Sequence, residues 1–221
     1  SSAASDVYKR QSQLDDKNRR FVLNRIDENG RMNRYENAFL WLSDAGVALP
    51  SYNVTEPQPP LQLNEKRNLF KLFMGDTGLL CASCMDNIQF ELLQGNMEVN
   101  MGSVLENVFA QAVKSNGFSL NYFESKKYGE VDFVIQNGLK VDLLEIKSGN
   151  DYKKHSALNK VSAVSNWRFG RRLVFCKENV AEESGVEYLP WYMVMFYKPE
   201  QNTQSYISVS YTHLTLPTNS L

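Results

Sequence analysis

The fold is decided by the stretch from Gly129 to Gly149, which reads GEVDFVIQNGLKVDLLEIKSG. Two apolar runs, Val131–Gln136 and Val141–Lys147, are separated by the turn-forming sequence Asn-Gly-Leu-Lys at residues 137–140. Apolar runs of this length around an Asn-Gly pair predict two antiparallel strands joined by a tight turn. We therefore expect a β-hairpin at the centre of the protein.

The charged side chains of this hairpin are predicted to converge. Because side chains alternate along a strand, Glu145 and Lys147 are expected on one face, and Leu144 and Ile146 on the other. A four-residue turn sets Asp132 directly opposite Glu145, and such cross-strand partners lie about 5 Å apart at their Cβ atoms. Two carboxylates and one ammonium group would then share one location.

This combination of side chains is typical of metal-assisted phosphodiester hydrolysis. Adjacent carboxylates repel each other unless a cation lies between them, and carboxylate, water and phosphate oxygens suit Mg²⁺ or Mn²⁺. We expect Asp132 and Glu145 to be metal ligands, with Lys147 holding the attacking water and stabilising charge on the phosphate. In the alternative, these are solvated charges on the polar face of a hairpin, and Lys147 merely pairs with Glu145.

The segments on either side of the hairpin predict an α/β layer architecture. Apolar spacing predicts a helix at Met101–Lys114 that ends at Gly117, followed by a strand at Leu120–Glu124. After the hairpin, residues 153–167 have helical spacing and Arg172–Cys176 reads as a strand. Helices before and between the strands of a sheet define the α/β class.

Further elements are predicted on both sides of this core. The alternation in Leu69–Met74 predicts a strand, after which Asp76 or Thr77 would cap a short helix through Met85. The apolar segment at residues 190–197 is interpreted as a closing helix without a chemical role.

The N-terminal region predicts part of a winged helix. Residues 31–45 have an amphipathic helical pattern that Gly46 would end, and residues 47–54 suit an extended strand or wing. The Pro-rich residues 55–60 would connect this module to the rest. Its arginines could contact DNA phosphates, or they could form a solvated face against a neighbouring domain. These are Arg19, Arg20, Arg25, Arg31 and Arg34.

Four segments are predicted from these boundaries. Residues 1–11 and 206–221 resemble translated cloning or adapter sequence and are set aside as artefactual tails. Residues 12–60 would be the partial winged-helix module, and residues 61–205 the larger α/β domain. Since His213 lies in a tail, His155 is the histidine with a claim to function.

Composition excludes some functions and leaves others open. A net charge of −1 gives no overall attraction to nucleic acid or anionic membranes. With no apolar run long enough to span a membrane and no signal peptide, we expect a cytoplasmic protein. Cys81 and Cys84 have the spacing of half a zinc site, but no second pair completes it, so buried thiols are the favoured interpretation.

Several side chains near the hairpin have two interpretations. Lys153, Lys154 and His155 open a predicted helix, where they would either meet substrate phosphates or form an ordinary exposed helix start. The aromatic residues nearby are interpreted as packing rather than as platforms for nucleic-acid bases. They are Phe123, Tyr128 and Trp167.

Five segments in the same order carry a resemblance to a known family. They are residues 34–46 (RYENAFLWLSDAG), 70–80 (FKLFMGDTGLL), 102–107 (GSVLEN), 129–133 (GEVDF) and 145–149 (EIKSG). Over residues 12–200 the chain resembles the C-terminal domain of unknown function (family 4143) of prokaryotic AAA-type ATP-binding proteins. The Asp132…Glu145-Ile-Lys147 pattern, preceded by Glu106, resembles the PD-(D/E)xK nucleases.

This resemblance implies a fold and a site. The fold would be a restriction-endonuclease-like mixed sheet flanked by helices and preceded by the partial winged helix. Glu106 would face the site of Asp132, Glu145 and Lys147 from its helix and help to position metal or water. In the alternative, Glu106 completes a helix-to-strand hydrogen bond. Val131 stands where the motif's name has proline.

The resemblance also implies a function and partners. The chain would be the C-terminal fragment of an AAA-type protein, with a candidate Mg²⁺-dependent DNA endonuclease domain. It has no GxxxxGK[ST] phosphate-binding motif, so ATP would act only through an N-terminal ATPase domain outside this chain. The alternative is a catalytically silent DNA- or protein-binding module that regulates that ATPase domain.

Overall fold

The computed structural model describes residues 20–21, 41–84 and 101–200, and it has the predicted α/β class. Its strands form two five-stranded sheets, each with parallel and antiparallel pairs. The first sheet has the strand order β1-β3-β2-β4-β5. Its strands are β1 (Arg20–Phe21), β2 (Ala48–Val54), β3 (Glu65–Met74), β4 (Asn121–Ser125) and β5 (Gly129–Val131).

The second sheet contains the hairpin and has the strand order β6-β7-β8-β10-β9. Its strands are β6 (Phe133–Asn137), β7 (Lys140–Ile146), β8 (Phe169–Cys176), β9 (Ala181–Glu183) and β10 (Val186–Pro190). The hairpin and the strand ending at Cys176 are confirmed. The sequence analysis did not anticipate β9 and β10, whose short runs flank a turn.

Three α-helices lie wholly within the described residues, namely α1 (Thr77–Cys84), α2 (Met101–Ser115) and α3 (Ser156–Ser162). The predicted cap of α1 is confirmed, because Asp76 Oδ1 accepts a hydrogen bond from the N–H of Leu79 at 3.0 Å. The prediction for residues 153–167 was too long, and the closing segment is a 3₁₀ helix at Trp191–Phe196. None of the described helices is long and apolar enough to cross a membrane.

The buried face of helix α2 is close to the apolar stripe predicted from its sequence. Leu105, Phe109 and Val113 are buried, whereas Val108 is partly exposed. Ala110, which was not included in the predicted stripe, is fully buried, so the buried face is rotated away from Val108 and toward Ala110. The helix ends as predicted at Gly117, which has a φ of 92°.

The segment at residues 47–54 is a central strand rather than a projecting wing. Strand β2 pairs antiparallel with β3 and parallel with β4. Residues 41–44 are helical, and Gly46 follows them with a φ of 70°, as expected for a helix stop. The remainder of the predicted helix, the arginine side chains and the tails at 1–11 and 206–221 lie outside the described residues, so the predicted domain boundaries stay predictions.

Asp132 is the single residue between the two sheets. The sequence predicted one continuous strand at Val131–Gln136, and this was wrong, because β5 ends at Val131 in the first sheet and β6 begins at Phe133 in the second. The chain bends at Asp132. As a result, the carboxyl group of Asp132 lies at the junction of the sheets.

Each face of the second sheet has its own apolar core. Leu144 packs in one core together with Phe109 of α2, and Ile146 packs against the same core. Leu143 packs in the other core with Leu158 of α3. The predicted alternation along β7 is therefore confirmed, and the face opposite Leu144 is the one from which Glu145 extends.

Candidate functional site

The β6–β7 hairpin has the predicted register. Phe133 pairs with Leu144, and the ladder continues to Asn137 and Lys140 around the turn. Extended by one residue, this register sets Asp132 opposite Glu145. Asp132 Oδ2 accepts a hydrogen bond from the backbone N–H of Ile146 at 2.8 Å. This bond holds the carboxyl group of Asp132 against the end of β7.

Glu145 is a buried carboxylate with one paired oxygen. Its Oε1 lies 2.7 Å from Nζ of Lys147, and the residue is only 6% exposed. Its Oε2 is buried and has no hydrogen-bond partner among the described residues. A buried carboxylate oxygen without a partner is costly, and it is chemically suited to a cation.

Lys147 is positioned through its backbone. Its N–H donates to the carbonyl of Phe175 at 2.8 Å, and the indole Nε1–H of Trp191 donates to its carbonyl at 3.0 Å. The side chain itself is about one-quarter exposed. The ammonium group is therefore held by a fixed backbone in a partly exposed position beside Glu145.

Three further elements bring charges to the same place. Glu106 projects from α2, and its Oε2 lies 3.9 Å from Nζ of Lys71 on β3. Glu130 on β5 lies closer, with Oε1 at 2.5 Å from the same Nζ. The contact of Glu106 is an ion pair that links α2 to β3.

Sequence reasoning missed both Lys71 and Glu130. Lys71 interrupts the apolar run of β3, which marks it as unusual, but the sequence does not show which charges it meets. Glu130 lies within the GEVDF segment that carried the resemblance. We refer to Lys71, Glu106, Glu130, Asp132, Glu145 and Lys147 as the acidic pocket.

The pKa values of the acidic pocket reflect burial and mutual repulsion. Burial raises the pKa of Asp132 well above its ordinary value, and the charges of Glu145 and Glu106 raise it further. Lys71 and the N–H of Ile146 oppose this shift without cancelling it. Burial also raises the pKa of Glu145, although the charge of Lys147 acts in the other direction. Both carboxyl groups are thus harder to ionise in the metal-free protein.

The pKa of Lys71 is raised as well. Burial alone would lower it, but the carboxylates of Glu106, Glu130 and Asp132 together outweigh burial. When all four carboxyl groups of the acidic pocket are ionised, its two ammonium groups balance only half of that charge, and two negative charges remain. One divalent cation would balance that excess.

The residues present fit a hydrated divalent cation. Within the described residues no three His, Cys, Asp or Glu side chains are grouped closely enough to hold one ion by themselves. Mg²⁺ commonly takes only one or two protein carboxylates and fills its remaining positions with water and phosphate. Asp132 and the unpartnered Oε2 of Glu145 supply that kind of donor set.

The residues at the start of α3 have separate roles. His155 is buried rather than exposed, with Nε2 at 2.8 Å from Tyr188 Oη and Nδ1 at 3.0 Å from Asn159 Oδ1. Its charged form would lower the pKa of Glu145. Lys153 and Lys154 are exposed and pair with acidic side chains.

The remaining predicted side chains take structural positions. Phe123, Tyr128 and Trp167 pack together, with the rings of Phe123 and Tyr128 each 5.6 Å from that of Trp167, which confirms the packing interpretation. Cys81 is half-buried and not in a disulfide. The side chain of Cys84 lies outside the described residues.

Comparison with known proteins identifies one region. Residues 101–194 match the sequence model of a family described as Domain of unknown function (DUF4143). No curated protein and no solved structure matches the chain. The match covers less than half of the chain, but it contains all four predicted site residues. These are Glu106, Asp132, Glu145 and Lys147.

Proposed function

We propose that the acidic pocket is the active site of a restriction-endonuclease-like domain that hydrolyses phosphodiester bonds in DNA with Mg²⁺ or Mn²⁺. One observation carries the proposal: Asp132 and Glu145 lie close enough that the charge of Glu145 raises the pKa of Asp132, with Lys147 at 2.7 Å from Glu145. Raised carboxyl pKa values beside a positioned cationic side chain are typical of functional sites.

Each residue of the site has a proposed role. Asp132 and Glu145 would hold the metal ion, which would polarise a phosphoryl oxygen and favour ionisation of a bound water. Lys147 would orient the attacking water and stabilise negative charge on the phosphate as the P–O bond breaks. Glu106, from α2, would help to position water at the site.

We further propose that the chain is the C-terminal part of an AAA-type ATP-binding protein of prokaryotes. The five ordered sequence segments and the family match at residues 101–194 support this origin. ATP would then act through an ATPase domain elsewhere in the protein. The reading frame upstream of residue 12 tests the proposal, because it should encode a phosphate-binding GxxxxGK[ST] motif.

The rival proposal is a silent module that binds DNA or protein and regulates that ATPase domain. Its support is that Lys71 and Lys147 already neutralise part of the acidic pocket without any metal. Titration of Mn²⁺ into the full chain distinguishes the two proposals. Binding in the millimolar range or tighter, lost in Asp132→Asn, favours the enzyme, and an absence of binding favours the silent module.

The first prediction concerns Lys147→Ala. It should reduce Mg²⁺-dependent cleavage of plasmid or branched DNA by about two orders of magnitude or more, because it removes a group that acts on the reacting phosphate. Lys154→Ala is the matched control, since Lys154 is exposed and its ammonium pairs with Asp151. Cleavage that persists undiminished in Lys147→Ala would refute the assignment.

A further inference from the structure

Lys71 is a buried cation inside a pocket suited to metal binding. Its side chain is 3% exposed, and its ammonium lies 2.5 Å from Glu130 Oε1 and 3.9 Å from Glu106 Oε2. Nζ also lies 5.0 Å from the centre of the Tyr122 ring, within the range of a cation–π contact. Three different elements, β5, α2 and β4, therefore supply its surroundings.

The position of this ammonium is fixed by the fold. Lys71 pairs with Ser51 of β2, in the middle of the first sheet, so its backbone cannot shift without breaking the ladder. A buried lysine is expensive unless its charge is matched. The charges of Glu106, Glu130 and Asp132 do match it, since they raise its pKa in spite of burial. Lys71 thus remains charged and in place.

The ammonium of Lys71 and a divalent cation would compete for the same oxygens. A metal ion bound to Glu106 and Glu130 would need both carboxylates at roughly 2.0–2.6 Å, and Nζ of Lys71 already contacts both of these carboxylates. Two positive centres at that separation repel strongly in a site of low polarity. The side of the pocket formed by Glu106 and Glu130 is therefore occupied by the protein's own cation.

We propose that Lys71 is a built-in counter-cation that closes the Glu106–Glu130 side of the acidic pocket to divalent ions. Its substitution would open a new divalent-cation site there. We expect the wild-type protein to bind one ion per chain, at Asp132 and Glu145, and this expectation rests on the proposed function. The opening of a new site does not, because it follows from the contacts of Lys71 alone.

The test is Mn²⁺ binding to the full chain by isothermal titration, together with thermal unfolding with and without the ion. Lys71→Met leaves its acidic partners uncompensated, and without metal its Tm should fall by about 10 °C. Millimolar Mn²⁺ should restore most of that loss, and the variant should bind one ion more per chain than the wild type. The Tm of wild-type protein should respond less to the ion.

Matched variants separate this effect from a general loss of packing. Lys71→Arg keeps the charge and should bind no additional ion. Lys153→Met removes the exposed pair with Glu183 and should change neither Tm nor binding. In the double variant Lys71→Met, Glu130→Gln, the additional site should be lost, because one of its two ligands is gone.

Each outcome bears on one proposal. An additional ion in Lys71→Met supports the role of Lys71, even if the wild type binds none and the proposed nuclease is thereby refuted. If Lys71→Met and the wild type bind the same number of ions, the proposed role of Lys71 is overturned, even if the wild type binds one ion and cleaves DNA. If Lys71→Met does not fold alone, recovery of folded protein with Mn²⁺, but not with NaCl of equal ionic strength, supports the proposal, and failure to recover overturns it.

Discussion

The carboxyl group of Asp132 lies where two other acidic side chains raise its pKa, and burial raises it further. A group whose folded-state pKa lies above its unfolded value binds protons more tightly when folded. Its ionisation therefore costs stability, and this cost grows as pH rises from the ordinary pKa of 3.8 to the raised value. At pH values above both, the metal-free protein carries the full cost.

The prediction for Asp132→Asn follows from that cost. The amide oxygen can still accept the hydrogen bond from Ile146, while the repulsion from Glu145 and Glu106 is removed. We expect the metal-free variant to be more stable by about 1 kcal/mol or more at neutral pH, one pKa unit being about that much. Urea denaturation across pH measures the difference, which should shrink toward acid. Asp151→Asn, exposed and paired with Lys154, should show no such gain.

Sequence alone located part of this group of side chains. Asp132, Glu145 and Lys147 were found because strand alternation and one tight turn fix their relation over a short stretch. Lys71 and Glu106 come from β3 and α2, whose approach to the hairpin depends on packing between distant segments. No local pattern encodes that approach, so Lys71 was read only as part of a strand.

Helix α2 supports the site by joining the two sheets. Phe109 packs in the core with Phe133 and Phe175 of the second sheet. Asn107 binds the end of β3 in the first sheet, accepting from the N–H of Met74 at 2.8 Å and donating to its carbonyl at 3.0 Å. Glu106, its neighbour in the helix, is held beside Lys71 by these contacts.

Asn107→Ala should loosen this support. The change leaves the part-buried backbone groups of Met74 without their side-chain partners, and an unsatisfied buried group costs about 1–3 kcal/mol. Chemical denaturation should show a loss of that order, and Mn²⁺ binding should weaken with it. Lys114→Ala, on the exposed side of the same helix, should leave both unchanged. If Asn107→Ala proved as stable as Lys114→Ala, the bracing role of Asn107 would be wrong.

Most elements were predictable where a pattern was long. The 15-residue α2 and the seven-residue β7 match their predictions closely, because many residues contribute to each period. The three-residue β5 and β9 are too short to show a period. The break at Asp132 was hidden because the residues on either side of it, Val131 and Phe133, are both apolar.

Across the molecule as a whole, the segment around Tyr197 packs against distant parts of the chain. Tyr197 stacks on Phe118, with ring centres 4.8 Å apart, and its hydroxyl donates to Asp142 Oδ2 at 2.8 Å. Asp142 also accepts from Asn137 Nδ2 at 3.2 Å and from the N–H of Arg171 at 2.7 Å. Burial and the charge of Asp142 raise the pKa of Tyr197, so its hydroxyl remains a donor.

Tyr197→Phe should therefore destabilise the entire fold while sparing the acidic pocket. A buried hydrogen bond to a charged group contributes about 1.5–3 kcal/mol, and we expect a loss in that range by urea denaturation. Mn²⁺ affinity should not change, because the side chain of Asp142 accepts hydrogen bonds from Asn137, Arg171 and Tyr197, which lie outside the acidic pocket. Tyr192→Phe is the control, since Tyr192 is exposed. A stable Tyr197→Phe protein would contradict this role for the hydroxyl.

The one-residue joint at Asp132 has a consequence for how the protein can diverge. An insertion or deletion of one residue here would shift β6 by one residue relative to β5. A shift of one residue exchanges the side chains that face inward with those that face outward along a strand. The aspartate would then leave its place opposite Glu145, or the apolar residues of β6 would turn out of their cores. Relatives that keep an aspartate opposite the glutamate can therefore differ in the neighbouring side chains. Their alignments should show no gap or insertion at this position.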